Sequence, residues 1–312
     1  MSNSSNYLGH RNLVSVRRRY SPEPLWEARF GVRGSQIGFD TDNRAQQQLR
    51  AQLALYTLNS AQTPPRELLE ANHNRDRYWH DRNGLMTYSF VLSPRFDELA
   101  IFSAIPGHMV KTVYFFPGTR FETVDLKHDA LILRHLPTGS ALSLRYFPSH
   151  HPKMRQKCPK HTLLGTADWL RQDIGLVDEE RLALDCLPEM SEDAERLLAA
   201  LVSRLHLHSR TEKWAVGALI DDPIRRPRQP TSPWKFTYCW GHDRDWVVRW
   251  GGGLHAVPAA DVARALTHPL VGLATAVAVR QEQDRAEVHF GDARLRLERH
   301  FPSGRAPFGG AR

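Results

Sequence analysis

The chain has 312 residues, of which 41% are hydrophobic and 24% are charged, and its formal net charge is +8. This composition is typical of a folded protein with one large core or two smaller ones, and it excludes a chain that is disordered throughout. No stretch approaches the roughly 18 consecutive apolar residues of a membrane-spanning helix. The three cysteines are too few for a secreted disulfide framework. We therefore expect a cytoplasmic protein of bacterial type, with no membrane contact and no cofactor.

The positive charge is concentrated at the two ends of the chain. Residues 1–22 contain four arginines and no acidic residue, and residues 305–312 add two more arginines. Residues 23–304 hold 36 basic and 34 acidic residues, so this part is nearly neutral. An anion-binding site in the body of the protein must therefore be a local patch.

Residues 1–24 are predicted to form a disordered basic tail, since they are rich in Ser, Asn and Arg and have no apolar periodicity. An organellar transit peptide has a similar composition and is the alternative interpretation.

Residues 25–220 are predicted to form an α+β domain. Its predicted helices, with their capping residues included, are 42–59, 64–81, 162–174 and 191–208. The cap signals are Asp42-Asn43 for the first helix and Ser191 for the last. Alternation of period two predicts strands at 85–92, 109–116, 120–125, 130–136 and 141–147, which suggests an antiparallel meander, and a further strand at 213–220.

Residues 221–233 are rich in proline and charge and are predicted to be a linker. A smaller α+β domain is expected at 234–303, with a helix after Pro258 and strands at 271–280, 286–290 and 294–300, followed by a tail at 304–312. The predicted fold class is thus α+β: an antiparallel β-meander with packed helices, followed by a smaller α+β C-terminal domain. The sequence has no repeat of fixed period.

The second domain begins with a hairpin of alternating aromatic residues. Trp234, Phe236, Tyr238 and Trp240 share one face of the first strand, and Trp246, Val248 and Trp250 share one face of the second. We expect these two faces to coincide and to form one aromatic surface. It would serve either as core packing or as a platform on which bases stack.

The basic stretch from Arg145 to Lys160 is the strongest candidate for an anion site. It contains Arg145, Lys153, Arg155, Lys157 and Lys160, and no acidic residue follows it before Asp168. Such a patch would hold the phosphates of a nucleic acid. A solvated surface loop is the alternative.

Two Cys-x-x-His pairs carry ligands of the kind that bind zinc, Cys158 with His161 and Cys239 with His242. The pairs lie far apart in sequence and neither forms the usual Cys-x-x-Cys unit. No metal site is therefore predicted, and Cys158 and His161 are the weak candidates.

Asp125 and Lys127 lie two residues apart on a predicted strand, so their side chains share a face. With an upstream acid such as Asp97 or Glu98, this Asp-x-Lys pair resembles the core of metal-dependent restriction-type nucleases. The resemblance implies a Mg²⁺-dependent phosphodiesterase in which acids hold the metal and the lysine assists the attacking water. A surface ion pair is the alternative explanation, and nothing else in the chain matches that family.

No Walker A loop, dinucleotide-binding glycine motif, Gly-x-Ser-x-Gly or His-Glu-x-x-His motif occurs in the sequence. The favoured hypothesis is a non-catalytic nucleic-acid-associated binding or accessory protein that contacts DNA or RNA through the basic loop and through Trp234 or Trp240. One alternative is the phosphodiesterase that uses Asp125 and Lys127. Another is a protein-interaction or assembly module that docks a protein partner through the aromatic hairpin.

Overall fold

The computed structural model describes residues 9–21, 23, 25–58, 91–103, 117–125, 130–146, 175–204, 237–251 and 258–300. These residues form six helices and ten strands, and the strands make two five-stranded sheets. The predicted α+β class is confirmed. No helix among the described residues combines the length and the apolar character needed to cross a membrane.

Two of the helices, at 44–58 and 192–203, follow residues whose side chains accept hydrogen bonds from first-turn backbone N–H groups. Asn43 Oδ1 accepts from the Gln46 N–H at 3.2 Å, and the Ser191 hydroxyl accepts from the Ala194 N–H at 3.3 Å, which confirms both predicted caps. The helices are α1 (His10–Arg17), α2 (Leu25–Phe30), α3 (Arg44–Leu58), α4 (Asp178–Asp185), α5 (Glu192–Ser203) and α6 (Ala259–Thr267).

The first sheet, sheet 1, has the strand order β1-β2-β5-β4-β3. Its strands are β1 (Val91–Arg95), β2 (Glu98–Ser103), β3 (Thr119–Asp125), β4 (Ala130–His135) and β5 (Ser140–Tyr146). All neighbours are antiparallel except β2 and β5, which are parallel. The predicted antiparallel meander is present in β3, β4 and β5, and the sheet departs from it at the parallel pair because β5 lies between β4 and β2.

Sheet 2 has the order β6-β7-β10-β9-β8 and repeats the arrangement of sheet 1. Its strands are β6 (Thr237–His242), β7 (Asp245–Gly251), β8 (Val277–Gln281), β9 (Arg285–Phe290) and β10 (Ala293–His300). Here β7 and β10 form the one parallel pair. The two sheets therefore have the same order and the same strand directions.

The first hairpins of the two sheets match residue by residue. Each has a two-residue turn, 96–97 in sheet 1 and 243–244 in sheet 2, and the first turn residue has a positive φ of 49° in Phe96 and 51° in Asp243. The structure thus contains a repeated unit although the sequence has no repeat of fixed period. The reason is that other connections differ in length, since four residues join β4 to β5 and two residues join β9 to β10.

One hydrophobic cluster joins the two repeats. Helix α3 precedes β1, helix α5 precedes β6, and these two helices pack against each other and against both sheets. The cluster includes Leu53 of α3, Leu201 of α5, Ile101 of sheet 1 and Val248 of sheet 2. We call the face of each sheet that enters this cluster its inner face. The predicted linker at 221–233 lies outside the described residues, and the described residues on both sides of it contribute to this cluster.

The N-terminal segment, which is the described part of residues 9–40, differs from the disordered tail predicted for residues 1–24. Helix α1 packs Leu13 and Val14 into a second small cluster, and Arg17 at its end is fully buried. The Arg17 guanidinium forms an ion pair with Glu23 and donates to the carbonyl of Ile37 at 2.5 Å. The tail prediction failed here because Glu23, just beyond the acid-free stretch, neutralises an arginine that was treated as solvated.

The N-terminal segment contacts the outer face of sheet 1 at β1 and β5. Ser93 of β1 donates to Glu23, and Glu27 forms ion pairs with Arg95 of β1 and Arg145 of β5. Burial raises the pKa of Glu27, while the two arginines act in the opposite direction. A buried carboxylate thus ties the segment to the sheet.

Candidate interaction surface

The register of the β6–β7 hairpin separates its tryptophans onto two faces. Trp250 lies opposite Thr237 and enters the inner face with Trp246, and each is 1% exposed. Trp240 lies opposite Val247 on the outer face and is 42% exposed. The prediction of one shared aromatic face is wrong, because the two-residue turn pairs even-numbered residues of β6 with odd-numbered residues of β7.

Trp240 is surrounded by residues of β7 and β10. The guanidinium carbon of Arg249 lies 5.1 Å from the centroid of the Trp240 ring, which is a cation–π distance. Arg249 also donates from Nε to Glu298 at 2.9 Å. On the outer face, Val247 of β7 lies between Trp240 of β6 and Arg296 of β10. Val247 is 3% exposed, whereas the residues on both sides of it are exposed. We call these five residues the Trp240 surface.

Most charges around the Trp240 surface are paired with an opposite charge. Arg249 is paired with Glu298, and Arg294 is paired with Asp245 at 2.7 Å. Arg296 is exposed and forms no ion pair with any residue that the structure describes. On β7 and β10 the outer face therefore carries three arginines against two carboxylates, and a third carboxylate, Glu287 of β9, lies opposite Arg296 in the same sheet.

The predicted phosphate-binding residues are described only in part. Arg145 lies on the outer face of sheet 1, and its guanidinium is 2.6 Å from the buried Glu27 carboxylate, which neutralises it. The other predicted nucleic-acid contacts lie outside the described residues: Lys153, Arg155, Lys157, Lys160 and Trp234. Phosphate binding by this loop stays a prediction.

The catalytic hypothesis likewise stays a prediction. Asp125 is the last residue of β3, where it lies opposite Ala130, and Lys127 lies outside the described residues. The structure therefore does not show whether the two side chains meet.

The zinc-type pair Cys239 and His242 is separated by the sheet. Cys239 points into the core, where burial raises the pKa of its thiol, and His242 lies on the outer face, where it is exposed. One metal ion cannot reach both side chains. Cys158 and His161 lie outside the described residues, and among those that are described no group of three potential ligands comes together.

A cleft of about 270 Å³ lies between α3, α5 and the segment after α6. Three of its charged lining residues are already engaged within the protein. Arg50 donates to three backbone carbonyls, Asp40 is paired with Arg204, and Arg196 is paired with Glu192. The cleft therefore offers less free binding chemistry than the Trp240 surface.

Sequence reasoning identified Trp240 but missed Arg249, Arg296 and Glu298 as its neighbours. The alternation of β10 does show that Arg296 and Glu298 share a face opposite Leu295 and Leu297. What the alternation lacks is the identity of the adjacent strand, since β7 and β10 are far apart in sequence.

No protein-family model matches the chain, and neither a curated protein nor a solved structure was found to match it. The geometry of the molecule is therefore the basis on which a function is assigned to it.

Proposed function

We propose that this protein is a non-catalytic binding protein that docks a protein partner on the Trp240 surface. The observation that carries the proposal is Trp240 itself, an exposed indole with an arginine against its ring on the outer face of a sheet. Trp and Arg are the residue types that most often contribute the binding energy of protein interfaces.

The charge arrangement favours a protein partner over a nucleic acid. Phosphate binding depends on cations that are free to replace counterions. Arg249 and Arg294 are already paired with carboxylates, so they offer little of this driving force. An aromatic anchor among paired charges is typical of the centre and rim of a protein interface.

The surface is also held in place before any partner binds. Val247 and Arg249 lie on β7, which is hydrogen-bonded to β6 on one side and β10 on the other. Side chains on a rigid strand lose less conformational freedom on binding than side chains on a loop, so more of the contact energy is available for affinity.

The experiment compares three tagged full-length proteins in an extract of the source cells: wild type, Trp240→Ala and Leu182→Ala. Leu182 of α4 is 66% exposed and serves as the matched control for loss of an exposed apolar side chain. We expect at least one protein to co-purify with wild type and Leu182→Ala and to be lost with Trp240→Ala, with or without nuclease treatment.

Two results would contradict the proposal. One is co-purification that does not depend on Trp240. The other is material that is lost on nuclease treatment, which would return the assignment to nucleic-acid binding. Circular dichroism of the purified variants checks that each one is folded.

A further inference from the structure

The cleft of about 270 Å³ between α3, α5 and the segment after α6 combines an apolar wall with several polar groups. The apolar wall comes from four parts of the chain and consists of Phe39, Ala199, Ala200, Leu273, Ala274 and Phe290. Liquid water occupies about 30 Å³ per molecule, so the cleft has room for on the order of ten non-hydrogen atoms. An apolar cavity of this kind with a few convergent polar groups is the usual form of a small-molecule site.

The charges that line the cleft are of both signs, with two aspartates and two arginines. The Asp42 carboxylate is exposed and has no ion pair or hydrogen bond with a residue that the structure describes. Arg196 pairs with Glu192, but the two side chains are 40% and 56% exposed, and such a pair contributes little. Gln47 connects the two places, since it donates to the Thr41 carbonyl at 2.7 Å and accepts from Arg196 at 3.4 Å. A carboxylate and a guanidinium thus border one cavity without pairing with each other.

Arg50 adds a buried positive charge beside the cleft. Its terminal nitrogens donate to the carbonyls of Phe39, Phe96 and Glu98, which are neutral acceptors. Its Nε has no hydrogen-bond partner among the described residues, although the side chain is fully buried. Burial lowers the pKa of Arg50 to about 10, because its charge is poorly solvated. This charge favours a negatively charged ligand group in the adjoining cavity.

Thr275 lines the cleft in a strained backbone conformation. Its φ is 67°, and it is the third residue of a turn that the Ala276 N–H closes on the Leu273 carbonyl at 3.1 Å. Glycine is the usual residue at this position, because a β-branched side chain is disfavoured at positive φ. The Thr275 hydroxyl has no hydrogen-bond partner in the described part of the chain. Strain of this kind is characteristic of ligand-binding positions, and the hydroxyl is available to a ligand.

We infer that this cleft binds a free α-amino acid with an apolar side chain. The ligand carboxylate accepts hydrogen bonds from Arg196 and Thr275 and is attracted by the buried charge of Arg50. The ligand ammonium group pairs with Asp42, and its side chain packs against the apolar wall. The inference goes beyond the proposed function, since no residue of the Trp240 surface lines the cleft.

The test is calorimetric titration of the full-length protein with L-phenylalanine, 3-phenylpropionate and phenethylamine. The three compounds share an aromatic side chain, but the second lacks the ammonium group and the third lacks the carboxylate. We expect L-phenylalanine to bind wild type at least about tenfold more tightly than either analogue. Asp42→Asn should remove its advantage over 3-phenylpropionate. Asp178→Asn, which changes an exposed aspartate of α4, is the matched control and should leave binding unchanged.

Thr275→Gly separates a role in binding from a structural role. Glycine tolerates positive φ, so the variant should be at least as stable towards urea as wild type. Loss of the hydroxyl should nevertheless weaken L-phenylalanine by about tenfold. A residue with a structural role alone would not give a stable protein that binds the ligand less tightly.

Two results would overturn the inference. One is that L-phenylalanine does not bind, or binds no more tightly than the two analogues. The other is that Asp42→Asn and Thr275→Gly both bind it as wild type does, which would place the ligand elsewhere. Neither result bears on the proposed function, which the extract experiment with Trp240→Ala tests separately.

Discussion

Removing the Glu27 carboxylate tests whether the N-terminal segment is docked on sheet 1 as described. The Glu27→Ala variant removes the carboxylate that forms ion pairs with both Arg95 and Arg145, whose side chains are only 10% and 14% exposed. Breaking a buried ion pair from one side costs about 3–5 kcal/mol, because the remaining charge stays desolvated and unpaired. We expect a loss of that size in the free energy of unfolding.

The measurement is urea denaturation followed by circular dichroism, together with hydrogen exchange of the amides in α1, α2, β1 and β5. Asp178→Ala is the control, because its ion pair with Arg181 is exposed and should contribute no more than about 1 kcal/mol. If Glu27→Ala loses no more stability than the control and protection in α1 and α2 is unchanged, the segment is not held by Glu27.

Three further results are expected from urea denaturation. Trp250→Ala should lower the free energy of unfolding by about 3–5 kcal/mol, and Trp240→Ala should lower it by less than about 1 kcal/mol, because only Trp250 is buried. Equal losses would contradict the register of the β6–β7 hairpin. Ser191→Ala should cost about 1 kcal/mol through loss of the cap of α5, and no loss would mean that the cap is not formed. Burial lowers the pKa of His135 from 6.5 to about 4. As the pH is lowered, the unfolded chain therefore binds a proton at His135 before the folded chain does. The free energy of unfolding should fall by about 3 kcal/mol as the pH goes from 6.5 down to 4. A His135→Gln variant with the same pH dependence would refute this.

Some local elements of the described regions follow from short-range patterns in the sequence, whereas α4 and the β1–β2 hairpin were not predicted. The caps at Asn43 and Ser191 and the apolar spacing of α3 and α5 predict those helices, because hydrogen bonds and packing within a helix join residues three or four apart. The alternation of β10 likewise predicts which of its residues are buried.

The burial of the first helix could not be foreseen in the same way. Arg17 belongs to an arginine-rich, acid-free stretch, and that composition indicates a solvated tail. Its partners are Glu23 and the carbonyls of Ile37 and Pro94, and the last of these lies on a strand far along the chain. A charge is neutralised by whatever the fold brings next to it, and composition within a window does not contain that information.

The candidate surface shows the same division between near and distant residues. The sequence alone was sufficient to mark Trp240 as a candidate, because a run of alternating aromatic residues is visible without a fold. Only the tertiary structure decided that Trp240 faces solvent while Trp250 is buried, since this depends on the length of one turn and on the strands that lie beside the hairpin. Likewise, the sequence predicts α3 and α5 from residues that are close together in the chain. Their packing against each other and against both sheets depends on contacts between residues far apart in the chain, which only the tertiary structure shows.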